Sequence, residues 1–248
     1  MCSVTWYLSD TGYQVFFNRD EQKSRALALP PALYELQGAS VLMPLDPQGH
    51  GSWIAVNEFG LSICLLNNYQ GKVPSGQLIS RGLLLKSLAG LATVEQVTLA
   101  FEAMNLSHFA PLTLLAFDPL LTKQHGDVLA YAWDGEQFAY GATSSPLFSS
   151  GVALAEVQRY RTQIYQQMMA DGVTPEKLLA FHCHQHPQFS HLSVAMQRED
   201  AHTVSFTHIK VSSGHQVMSY ISGRPTQLAE QILQHQQYPL PQLISLVS

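Results

Sequence analysis

Charge is scarce in this sequence. Lys and Arg number 13 and Asp and Glu 18, together 12% of 248 residues, against about 25% in an average globular domain. With 46% hydrophobic residues the chain can bury a large core, which excludes a disordered, collagen-like or coiled-coil protein. The net charge is −5, and the basic residues are scattered, the densest group being Lys23 and Arg25 near Arg19. Phosphate backbones need concentrated positive charge, so no nucleic-acid partner is expected. Long apolar runs are missing too. Lys86 interrupts the stretch around Leu83–Leu91, and Pro111 and Asp118 break the next, both well short of the roughly 18–20 residues that cross a bilayer. The first basic residue is Arg19, so the start lacks the basic-then-apolar pattern of a secretory leader. The expectation is a soluble cytoplasmic protein of one domain spanning 1–248.

Cysteine is nearly absent as well. Cys2, Cys64 and Cys183 form no CxxC pair, so neither a disulfide framework nor a zinc ribbon is indicated. Cys64, inside Leu61-Ser-Ile-Cys-Leu-Leu66, reads as a small buried hydrophobe. The sequence has no GxSxG elbow, no HExxH and no GxxxxGK[ST] loop, and Gly49-His50-Gly51 lacks the third glycine of a dinucleotide fingerprint. No metal site and no cofactor is expected on these grounds.

What is present is a succession of strands and short helices. Val4–Leu8 and Tyr13–Asn18 flank the turn residues Ser9-Asp10-Thr11-Gly12 and predict a hairpin. Ser52–Val56 and Leu61–Asn67 predict a second, with Gly60 at a position tolerant of positive φ. Apolar spacings of three and four predict helices over Ser80–Leu91 and Val94–Met104, broken near Gly90. Strand character returns at Leu112–Phe117, Val128–Trp133 and Gln137–Tyr140, with a turn at Asp134-Gly135. Ala153–Met169 carries Val157, Tyr160, Ile164 and Met168 on one stripe, as an amphipathic helix does. Thr174 and Pro175 suit the cap and first turn of another. Thr203–Val211 and Gln216–Ile221 predict the last strands, and the tail from Pro239 onward is expected to drape over the surface. The order predicts an α+β fold, two antiparallel sheets packed together with helices outside.

One chemical feature stands at the chain start. The side chain after Met1 is small, so methionine removal would leave Cys2 with both a thiol and a free α-amine. An α-amine titrates near about 7.7–8.0 and a thiol near about 8.5, a pair matched for proton transfer close to neutrality. Such a thiol can attack a carbonyl while its own amine takes the proton. Asn18-Arg19-Asp20-Glu21 closes the second strand of the first hairpin, which returns these residues to Cys2. A cation there lowers the thiol pKa, and a carboxylate can hold the amine. Neighbouring strand residues point to opposite faces, so Arg19 and Asp20 share a face only if the chain bulges; otherwise Glu21 shares the role.

Met1-Cys2 followed by Asn18-Arg19-Asp20-Glu21 resembles the NRDE family, also called the transport-and-Golgi-organisation family. Ser52-Trp53, Val56-Asn57-Glu58-Phe59-Gly60-Leu61, Asn68-Tyr69, Ser80-Arg81-Gly82 and the stretch from Arg198 to Ser205 extend the likeness along the chain in order. That family in turn resembles N-terminal-nucleophile hydrolases of the choloylglycine hydrolase and penicillin V acylase type. The resemblance implies a four-layer αββα sandwich and a cysteine amidase acting on a non-peptide acyl amide bond. It implies Cys2 as nucleophile, Arg19 and Asp20 as its neighbours, and Asn68 as an oxyanion donor. In Thr143-Ser144-Ser145-Pro146, Ser144 stands where those amidases place an oxyanion asparagine. Losing one such donor costs about 2.7–4 kcal/mol of barrier. Arg198 is a candidate second site arginine.

A different reading starts from His182-Cys183-His184-Gln185-His186 and His191. As a strand, His182, His184 and His186 would share one face and could bind a metal or haem iron. With members of the family linked to haem handling and lipid metabolism, the resemblance also admits a non-catalytic carrier of haem or a hydrophobic acyl compound.

Overall fold

The computed structural model describes residues 2–226 and 236–240. The first hairpin is β1 (Cys2–Ser9) and β2 (Gly12–Gln22), joined across Asp10-Thr11. A second hairpin, β3 (Leu29–Leu36) and β4 (Ala39–Leu45), was not expected from the sequence. Next come β5 (Ile54–Asn57), β6 (Ser62–Asn67), the helices α1 (Arg81–Leu88) and α2 (Val94–Glu102), and a 3-10 turn at Leu106–His108. Strands β7 (Leu112–Phe117), β8 (Leu129–Trp133), β9 (Phe138–Ala142) and β10 (Leu147–Ser149) follow. The chain continues through α3 (Leu154–Met168), α4 (Pro175–His182), β11 (Ala201–Ser212), β12 (His215–Ser222) and β13 (Gln237–Pro239).

These strands form two antiparallel sheets. One has the order β10-β1-β2-β11-β12-β13; the other runs β3 to β9 in chain order. Period-2 alternation divides each strand between two cores. Val4, Trp6, Val15 and Phe17 of the first sheet meet Ile54, Val56, Cys64, Leu66 and Leu115 of the second. The opposite face of the second sheet, including Ile63, Leu65 and Leu114, packs under Leu84, Leu85, Leu88, Val97 and Phe101 of α1 and α2. On the far side, Phe16, Phe206 and Ile221 pack against Leu178, Leu179 and Phe181 of α4. The molecule is thus a four-layer αββα sandwich. No helix among the described residues is long and apolar enough to cross a membrane.

Polar side chains pin the layers together. Tyr13 Oη donates to Gly60 O at 2.6 Å, from one sheet to the other. Buried Asn57 accepts the N–H groups of Phe59 and Leu61 and donates to the carbonyls of Ala89 and Leu91 beyond α1. The Asn57–Leu61 block therefore shapes a turn, with Gly60 at φ +91° as its composition predicts, and clamps it to the helix layer. Thr174 caps α4 by accepting the Lys177 N–H. The tail departs from expectation: Gln237–Pro239 is an edge strand, and Leu240 is buried in the inter-sheet core. Residues 227–235 and 241–248 lie outside the described residues.

Candidate active site

Strand and helix ends converge at one end of the sandwich. Cys2 opens β1, Arg19–Glu21 end β2, Asp46 follows β4, Trp53 precedes β5, Asn67 ends β6 and Arg81 opens α1. Together they line a cavity of about 450 Å³.

Cys2 is 8% exposed and sits in register with Arg19 on one side and Ser149 on the other. Burial pushes its thiol up from the ordinary value, against the pull of the chain's amino terminus and of Arg19. The carboxylate of Asp20 adds to the upward push, and a hydrogen bond from the Asp20 backbone works against it. The resting group is therefore a thiol, and the thiolate has to be formed by proton transfer.

Arg19 lies on the Cys2 face. Its guanidinium stacks 4.1 Å from the Trp53 ring centre and donates from Nη2 to Asp46 Oδ2 at 2.9 Å, with Glu21 Oε2 3.4 Å away. Arg25 reaches the same Asp46 oxygen from Nε at 3.0 Å and Nη2 at 2.7 Å. Burial disfavours the Asp46 anion, yet Arg25, the N–H groups of Gly49 and Gln48, and Arg19 hold its carboxyl below the usual range. Arg81 donates from Nη1 to Pro111 O at 2.9 Å.

Asp20 turns the other way. Thr203 Oγ1 donates to its Oδ1 at 2.6 Å, and Arg161 Nη2 approaches its Oδ2 at 3.4 Å. Arg161, from α3, has no solvent exposure; it also donates to Ser3 Oγ at 2.6 Å, to Leu192 O at 3.1 Å and to Ser193 O at 2.8 Å. The only register shift near this point is in β11, between Thr203 and Ser205, so β2 itself keeps its alternation and Glu21, not the Asp20 carboxylate, shares the Arg19 face.

The remaining expected site residues are dispersed. Asn68 accepts the Gln70 N–H at 3.0 Å and lines an adjoining cavity with Ser149, whereas Asn67 lines both cavities. Asn67 Nδ2 donates to Tyr69 Oη at 3.0 Å. Ser144 is exposed in the loop before β10. Arg198 pairs with Asp200 at 2.9 Å. Neither Ser144 nor Arg198 is among the described residues lining the two cavities.

The histidine run does not form the strand that would align its rings. The helix begun at Pro175 continues through His182, and that imidazole is buried between Thr5 and Asn18. Among the described residues no group of three or more His, Cys, Asp or Glu is gathered closely enough to hold a metal ion. Asp46, Arg25, Trp53, Arg81 and Arg161 carried no role in the sequence reading. For Arg161 a signal existed: it lies four residues after Val157, a charge on the buried stripe of an amphipathic helix.

The sequence model of one family, Transport and Golgi organisation 2, matches residues 1–141. No curated protein sequence matches significantly. Among solved structures, the fold is similar to penicillin V acylase from Agrobacterium tumefaciens, at 13% identity and TM-score 0.54, over 90% of this chain and 83% of that one. It is similar to the Caenorhabditis elegans ortholog of N-acylethanolamine-hydrolyzing acid amidase, at 12% identity and TM-score 0.54, over 97% and 100%. A variant of conjugated bile acid hydrolase from Clostridium perfringens aligns at 14% identity and TM-score 0.50, over 89% and 92%. At these identities the likeness is one of fold.

Proposed function

The chain belongs to the Transport and Golgi organisation 2 family, and from that footing we propose that it is an N-terminal cysteine amidohydrolase cleaving a non-peptide acyl amide bond. One observation carries the reading: Cys2, the first residue of an interior strand, lines a solvent-open cavity of about 450 Å³ beside the Arg19 guanidinium. The fold shared with a penicillin V acylase, a conjugated bile acid hydrolase variant and an N-acylethanolamine-hydrolyzing acid amidase ortholog supports it.

In this mechanism Met1 is removed and the α-amine of Cys2 becomes the base. It accepts the thiol proton as sulfur bonds to the acyl carbon, and returns it to the departing amine as the carbon–nitrogen bond breaks. Water then attacks the thioester, giving the carboxylic acid and the free thiol. Generating the anion only at the moment of attack suits a thiol that burial keeps protonated. Arg19 favours the developing thiolate, and Asp20, its carboxylate held on the other face of β2 by Thr203 and Arg161, acts on the amine through its charge. Asn68, or Asn67 beside it, donates to the oxyanion, and a small acyl or hydrophobic compound is the substrate class. The test is turnover of a panel of acyl amides by native protein and Cys2→Ala, after intact mass has shown the loss of Met1. Substitution is expected to reduce hydrolysis to the uncatalysed rate. Equal rates for the two proteins would overturn the assignment.

The position of Ser144, exposed and away from the described lining of the cavity, favours a second reading, a carrier that retains the fold without the reaction. Saturable binding of acyl ligands with equal affinity in native and Cys2→Ala protein, and no turnover by either, would select it.

A further inference from the structure

The charges around the cavity do not cancel. Arg19 and Arg25 both converge on Asp46, and Glu21 lies 3.4 Å from Arg19 and 3.6 Å from Arg25. The Asp20 carboxylate is engaged on the opposite face of β2 by Arg161 and Thr203. Arg81 is left with a backbone acceptor, Pro111 O, and no carboxylate among the described residues within ion-pair distance. Burial disfavours its charge, and Glu21, already shared by Arg19 and Arg25, favours it only from beyond ion-pair distance, so the guanidinium has no counter-ion of its own. Cys2 does not complete it, being a thiol at rest.

Two further observations lie in the same wall. Trp53 is 6% exposed, and its indole N–H is a buried donor with no acceptor among the described residues. The first turn of α1 opens on the cavity through Ser80, Arg81 and Gly82; the Ser80 side chain makes no capping bond and the turn contains no acidic residue. The Leu83 N–H is taken by Ser80 O at 2.9 Å, and the helix dipole adds to the positive potential at this end. A carboxylate or phosphate supplies what these groups lack, a negative charge with several acceptor oxygens in a compact head.

We infer that the cavity binds an acyl compound bearing an oxyanion, carboxylate or phosphate, which Arg81 and the first turn of α1 hold beside Cys2. The inference rests on the amidase reading for the position of the acyl group, and it names the substrate class of that same site.

Calorimetric titration of the Cys2→Ala protein tests it without turnover. Three ligands share one acyl chain: N-octanoylglycine, the phosphate ester of N-octanoylethanolamine, and neutral N-octanoylethanolamine. At least one anionic ligand is expected to bind about tenfold or more tighter than the neutral one, because charge-assisted hydrogen bonds are the stronger kind. The better of the two identifies the oxyanion. Adding Arg81→Gln should bring the anionic affinity down to that of the neutral ligand. Should that variant fail to fold, the salt dependence in the Cys2→Ala protein decides, because an ion-pair preference shrinks as salt rises. Equal affinities, a preference insensitive to both Arg81→Gln and salt, or no saturable binding of any of the three would overturn the inference. A native protein that binds with this preference but hydrolyses nothing would leave it standing and remove the amidase reading instead.

Discussion

At His182 a neutral imidazole uses both ring nitrogens. Asn18 turns its amide nitrogen toward the carbonyls of His182 and Val194, leaving its oxygen to accept from His182 Nδ1 at 3.1 Å, while Nε2 accepts from Thr5 Oγ1 at 2.9 Å. A second ring proton on Nε2 would require the Thr5 hydroxyl to turn from donor to acceptor. Burial first, then the charges of Arg161 and His208, take the His182 pKa down to about 3. Burial and Lys210 take His208, stacked on Phe16, down to about 4. Both lie below the unfolded value near about 6.5, so the unfolded chain binds more protons at mildly acid pH and stability falls as pH falls. The loss begins near pH 6.5 and continues until each folded pKa is passed, at up to about 1.4 kcal/mol per pH unit for each ring. The urea midpoint, followed by fluorescence, should therefore decline between about pH 6.5 and 4; a midpoint flat across that window would remove these two rings as the cause. His182 was visible in the sequence as part of a cluster with His184, His186 and His191, but the separate fates of those rings were not. Thr174 and Pro175 announced where α4 starts, and no local signal marks the point where it ends. Cys2 and Arg19 were legible because one tight turn fixes their register.

The same contrast holds for whole elements. Hairpins β1–β2 and β5–β6 were readable because glycine-bearing turns sit between alternating strands. The β3–β4 hairpin turns on Gln37 at φ +50° and Gly38 at φ +80°, a two-residue turn in which Gln replaces the usual Asn or Asp. Much of β3 is exposed at the sheet edge, so no apolar alternation marks it. Strands β10 and β13 have three residues each, too few for any periodicity. The approach of α1 to the chain before β5 was likewise hidden, although it sets the cavity wall. A Cβ on Gly51 would lie 2.1 Å from the carbonyl carbon of Gly82 and 2.5 Å from its oxygen, while Ser52 N–H donates to that oxygen at 3.2 Å. Two glycines face each other so that the loop bearing Trp53 and the helix bearing Arg81 can meet. Gly51→Ala must push them apart, at a cost of about 1–3 kcal/mol for overpacking. The expected result is a lowered urea midpoint together with weakened binding of anionic acyl ligands. An unchanged midpoint would show that the contact yields without strain.

Across the whole molecule, the Cys2 end of β1 is held from both sides. The second sheet covers its Cys2 face, and the outer helices cover the face of Ser3 and Thr5. Arg161 reaches from α3 to Asp20 across 141 residues of sequence, a distance over which no local pattern can report a contact. Fold class was readable because burial alternates strand by strand; this bridge was not, because it exists only once the layers close. Both members of the ion pair are fully buried, so each alone would be an unbalanced charge. Removing one partner of such a pair typically costs about 3–5 kcal/mol, whereas removing both together costs much less. Arg161→Leu and Asp20→Asn should each lower stability steeply, and the double variant should lose less than the sum, by about 0.5–3 kcal/mol. Losses that simply add would show that Arg161 is held by Ser3 and the carbonyls of Leu192 and Ser193 rather than by Asp20. Coupling of the expected sign ties the helix layer to the carboxylate nearest the chain start. In that case damage in α3 would reach Cys2 without any change in the cavity's own lining, and the alkylation rate of Cys2 in Arg161→Lys would register it while the fold stayed intact.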